Sequence, residues 1–165
     1  MWRQHARRRV ALRIALGMVF LSAFIATPVP AAVSDADKKT LAEMALQWAI
    51  DGGISDVKLV KDPENPIVAN VNLPKNVKLE LPGRKISVLA VPRIQAEANR
   101  GGDFLYFRFN RFEGDQNHVK VAIALIWAVG EHSKTQYLSG GGATLDFEKR
   151  DGKWQLQPVM NRWMS

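Results

Sequence analysis

Residues 137–156 read YLSGGGATLDFEKRDGKWQL, and the reading of this stretch decides the fold. Ala143, Leu145 and Phe147 alternate with Thr144, Asp146 and Glu148, and Asp151-Gly152 separates this run from Lys153-Trp154-Gln155-Leu156. Period-two alternation marks a strand with one buried face. Asp-Gly suits the tight turn between two such strands, whose central residues need positive φ. A hairpin is therefore predicted, with strands over 136–149 and 153–159. Gly140, Gly141 and Gly142 interrupt its first strand, at a cost of roughly 1 kcal/mol each in lost propensity. Two readings offset that cost. The glycines let a long strand bend, or they leave bare backbone for the close approach of a ligand. A phosphate cradle needs a helix to follow the glycines, and here a strand follows.

Working upstream, the same period continues. Residues 104–112 place Leu105, Phe107 and Phe109 on one face and Tyr106, Arg108 and Asn110 on the other. Residues 114–117 read as a turn. Residues 119–129 alternate again, and both faces become apolar towards the end, so this strand is expected to be central and covered on both sides. With a turn over 130–135, the C-terminal part becomes a four-stranded antiparallel meander. PRIQAEANR, residues 92–100, reads as a short helix opened by Pro92 and stopped by Gly101-Gly102. Residues 54–90 are strand-like but broken by proline. Short strands are expected over 57–60 and 67–71, and a turn at Leu81-Pro82-Gly83 is expected to join 77–81 to 85–90. Near the start, Ser34 or Asp35 caps a helix over 36–51. Its stripe of Leu41, Met44, Ala45, Trp48 and Ala49 needs a sheet to lie on.

The fold class is therefore α+β: an N-terminal helix packed on a curved antiparallel sheet, or roll, over 34–165. The segment ATLDFEKRDGKWQL, residues 143–156, resembles the last two strands of the nuclear-transport-factor-two-like and ketosteroid-isomerase-like rolls, and of cystatin-like rolls. It is also similar to small exported bacterial proteins that carry a Gly-Gly-Gly strand before such a hairpin. The resemblance implies a cone-shaped sheet wrapped on a helix, with a mouth that in the isomerases needs only one acid and a hydrogen-bond donor.

The first 31 residues read as a signal peptide. Arg3, Arg7, Arg8, Arg9 and Arg13 precede the uncharged run IALGMVFLSAFIA at 14–26, and a small-residue segment ends at Ala31-Ala32. Thirteen residues make a helix of about 20 Å, against a hydrocarbon core of about 30 Å. Cleavage after Ala31 is expected, leaving no stable membrane span and a periplasmic or secreted protein. The net charge of +7 belongs largely to this segment. Removing its five arginines leaves 18 Lys+Arg against 16 Asp+Glu, an ordinary mixed surface that speaks against nucleic acid as a partner. The chain has no cysteine, which excludes thiol enzymes, disulfide exchangers and cysteine-ligated metals.

Candidate site residues are few. Tyr106, Arg108 and Asn110 share one predicted strand face, where Arg108 could grip an anion through paired N–H bonds. Gly140, Gly141 and Gly142 complete the ligand-binding candidates. His118 and His132 lie in or beside turns with no metal-ligand spacing, and no metal or cofactor is expected. No catalytic residues stand out. The expected role is a non-catalytic exported protein binding a small apolar or amphiphilic ligand or another envelope protein. The alternative is an isomerase, lyase or hydrolase in the mouth of the roll, using Asp103 or His118 with Tyr106. Trp163 is expected to dock back on the sheet.

Overall fold

The structure, a computed structural model, describes residues 32–137, 140–158 and 161–163. The predicted signal peptide lies outside these residues. Helix α1 spans Asp35–Trp48. Ser34 caps it by accepting from the Asp37 N–H at 3.1 Å. Its buried stripe is Leu41, Ala42, Ala45 and Leu46, continued by Ala49. This is rotated slightly from the expected stripe. The alanines let the helix approach the sheet closely, while Met44 and Trp48 are half-buried at its flank.

The sheet curls around α1 as a half-barrel. Its strands are β1 (Ile67–Ala69), β2 (Ser87–Leu89), β3 (Phe104–Gly114), β4 (His118–Ala128), β5 (Gly142–Arg150), β6 (Lys153–Leu156) and β7 (Asn161–Trp163). The order across it is β2-β1-β3-β4-β5-β6, and β7 pairs with the start of β5. The meander β3 to β6 is antiparallel, as its alternation predicts. The other side is not: β1 runs parallel to both β2 and β3, so the sheet is mixed. The strand expected over 57–60 is not formed: residues 57–59 belong to a 3-10 helix over Ser55–Leu59.

Phe107, Phe109, Ile123, Leu125, Leu145 and Phe147 face α1 and are fully buried. The opposite face is covered at one end by helix α2, Val91–Gly101, whose Ile94 and Ala98 pack on Ala69, Tyr106 and Ala128. Strand β4 is thus central and contacted by both helices.

One polar tie fixes α1 to the hairpin. Asp37 Oδ1 accepts from Trp154 Nε1 at 2.7 Å and from Lys149 Nζ at 2.9 Å. These bonds, the Trp154 indole foremost, hold the Asp37 carboxyl below its usual range.

Candidate functional site

A hollow opens where β1, β2 and β3 begin, with a volume of about 670 Å³. That size falls within the range of small-molecule sites, roughly 300–1,000 Å³. The parallel pairing of β1 with β2 and β3 builds its floor by bringing Ile67, Leu89 and Phe104 together, each half-buried. Val60 and Leu105 lie deeper and are buried. Helix α2 supplies one wall through Arg93 and Glu97. Those two are already paired at 2.9 Å, and Arg100 joins the same carboxylate at 2.7 Å. The loop over 61–65 supplies the other wall. Asp62 ties that loop by accepting from the backbone N–H groups of Glu64 and Asn65 and from the Asn65 amide.

Two polar groups of the rim remain open. The Lys61 ammonium is exposed, and the Ser87 hydroxyl is half-buried. Neither has a side-chain partner among the described residues. The arrangement is an apolar floor with one free cation and one free hydroxyl, which suits an amphiphile with an anionic head. None of the lining residues is a candidate site residue in the sequence; Leu105 and Gly101 read only as a core position and a helix stop. The lining residues fall in the proline-broken third and at the ends of α2 and β3, where no periodicity points to a site.

The predicted polar row divides. Tyr106 is buried beneath α2. Arg108 is half-buried, and its Nε donates to Asn110 Oδ1 at 3.0 Å. Asn110 itself is the extra residue of a β-bulge between Phe109 and Arg111. Asn72 clasps that bulge, its amide donating to the carbonyls of Phe109 and Asn110 at 3.0 and 2.6 Å. Tyr106 and Arg108 lie on the face turned away from α1, so they line the outside of the half-barrel, and exposed Asn110 meets Arg108 from the bulge.

The three glycines are surrounded by the chain's own atoms. A Cβ on Gly140 would overlap the Leu125 carbonyl oxygen. On Gly142 it would overlap the Trp163 indole and come within 2.8 Å of the Ile123 carbonyl oxygen. On Gly141 it would meet Ile54 Cγ2 at 3.1 Å. None of the three has positive φ, so what they supply is room. That room admits β7. Trp163 does dock on the sheet, remaining 38% exposed, and Arg162 lies 5.4 Å from the Trp48 ring.

Asp103 organises a loop. Its Oδ1 accepts the Gly130 N–H at 2.8 Å and its Oδ2 the Ser133 hydroxyl at 2.5 Å. These donors, Ser133 first, hold its carboxyl below the usual range, and the Asp103 carboxylate raises the Tyr137 hydroxyl. Tyr137 also stacks on Trp127 with ring centroids 4.0 Å apart. Asp103 adjoins the strand end that pairs with Ala128, whereas His118 opens β4 and sits 2.5 Å from Asp146. Ten residues of extended chain separate those ends, about 33 Å. Asp103 and His118 therefore belong to different places.

Among the described residues no group of His, Asp and Glu is placed to hold a metal ion, and no helix is long and apolar enough to cross a membrane. No protein-family model matches the sequence, and no curated protein or solved structure matches the chain.

Proposed function

We propose that this protein is an exported, non-catalytic binding module, and that the hollow over Ile67, Leu89 and Phe104 takes a small amphiphilic molecule. The single observation that carries the reading is this open, apolar-floored hollow of about 670 Å³ with Lys61 and Ser87 unpaired at its rim. The ligand's apolar part lies on the floor, and its anionic head meets Lys61. Export rests on the basic, apolar and small-residue order of residues 1–32. The acid most exposed to a catalytic reading, Asp103, is occupied by the Gly130 N–H and the Ser133 hydroxyl, which favours structure over proton transfer.

Anilinonaphthalene sulfonate, an anionic aromatic amphiphile, is a direct probe. Saturable one-to-one fluorescence enhancement is expected. Ser87→Phe fills the hollow and should abolish it. Lys61→Glu should weaken it several-fold at low salt and much less at high salt. Enhancement that survives Ser87→Phe unchanged would refute the site. Sequencing the N-terminus of protein taken from the envelope tests export separately, with Ala32 expected first.

A further inference from the structure

We infer that the cleft between residues 77–81 and 84–88 admits an extended, acidic segment of a partner protein as an added strand beside β2. The two arms meet only at the Leu81–Arg84 bridge, where the Arg84 N–H reaches the Leu81 carbonyl at 3.2 Å. Beyond the bridge they part around an open cleft of about 530 Å³. The cause of the splay is visible. The Glu80 N–H is taken by Glu43 Oε1 at 2.8 Å, which tethers the first arm to α1 instead of to β2.

Strand β2 is the edge of the sheet. Its inward bonds come from alternate residues. The Lys85 N–H donates to Glu64, the Ser87 N–H donates to Pro66, and the Leu89 carbonyl accepts from Asn70, all within 3.1 Å. Strand alternation then turns the N–H and C=O of Ile86 and Val88 outward, into the cleft. Neither has a backbone partner among the described residues. Unpaired edge groups of this kind are what strand addition uses, with side-chain pockets on alternate residues adding selectivity.

Charge selects the occupant. Lys78 and Lys85 are exposed at the cleft without ion-pair partners among the described residues, and Arg84 stands beside them, 3.9 Å from Asp51. Glu80 is the one acid in the lining, and Lys39 faces it at 3.9 Å. A second copy of this edge would bring lysine against lysine, and short lysine-flanked edges resist such self-pairing. An acidic strand meets the opposite condition.

The test uses capped octapeptides alternating valine with glutamate or valine with lysine, added to the folded protein and followed by amide exchange in NMR. The glutamate peptide should slow exchange at Ile86 and Val88, with an affinity that falls as salt rises. Lys78→Glu with Lys85→Glu should weaken it at least tenfold. Val88→Pro removes one outward N–H and should abolish the protection; proline is tolerated at an edge in this orientation. Should that variant unfold, the charge-reversed protein carries the test alone. Equal binding of the lysine peptide, unchanged exchange at Ile86 and Val88, or a β2–β2 dimer in sedimentation would overturn the inference.

Discussion

Alanine at each of the three consecutive glycines separates packing from ligand access. At Gly140 the added methyl overlaps the Leu125 carbonyl oxygen and stands 2.9 Å from its carbon. Both atoms are backbone, and the adjoining Leu125 N–H to Gly141 bond, at 2.8 Å, resists separation of β4 and β5. Overpacking of this kind costs about 1–3 kcal/mol, while alanine recovers up to about 1 kcal/mol of backbone entropy. A net loss of about 1–2 kcal/mol is expected. For about 130 folded residues, with an unfolding entropy near 2.1 cal/mol/K per residue, Tm should fall by about 4–7 °C. At Gly141 the obstacle is a single movable methyl at 3.1 Å, so Gly141→Ala should melt within about 2 °C of the parent. Gly142→Ala falls between, because the Trp163 ring can swing away. Trp163→Ala should then recover part of its loss in a double-mutant cycle. Scanning calorimetry reads all of these. If bare backbone served a ligand instead, the three apo variants would melt alike. Gly140→Ala melting at or above the parent would refute the packing argument.

Other consequences follow from the polar ties. Asp37→Asn should cost about 1–3 kcal/mol at pH 7, because the Trp154 and Lys149 bonds lose their charged acceptor. The pH sign is fixed by the depressed carboxyl. Its contribution is complete above the unfolded value near 3.8 and is lost as pH falls through the folded value. Urea midpoints at pH 7, 4 and 3 should therefore fall less for the variant than for the parent, and parallel falls would contradict the tie. Asp103→Ala should speed amide exchange at Gly130 and open 130–137 to proteolysis while Tm drops by no more than a few degrees. Unchanged exchange there would remove Asp103 from its role as loop organiser.

Local patterns in the sequence determined the elements whose signals lie within a few residues of one another. The Asp151-Gly152 hairpin follows from turn chemistry; Asp151 has φ 52° and Gly152 φ 74°, as that turn requires. Strands β3 and β4 follow from the alternation read over 104–112 and 119–129, although a bulge interrupts the first at Asn110. Helix α1 follows from its Ser34 cap and its stripe, and with these elements the α+β class was legible. Only the tertiary structure decided the rest. Strands β1 and β2 have three residues apiece, too few for a period, and their parallel pairing depends on contacts across the sheet. The bulge at Asn110 is clasped by Asn72 from a distant loop, so Asn110 could not be placed from alternation alone. The glycine run answers to Leu125, Ile54 and Trp163, none of them a sequence neighbour. The hollow over Ile67, Leu89 and Phe104 likewise joins residues that share no pattern along the chain. Backbone propensity and burial period are short-range and readable in one dimension, whereas excluded volume and strand order arise only when distant segments meet.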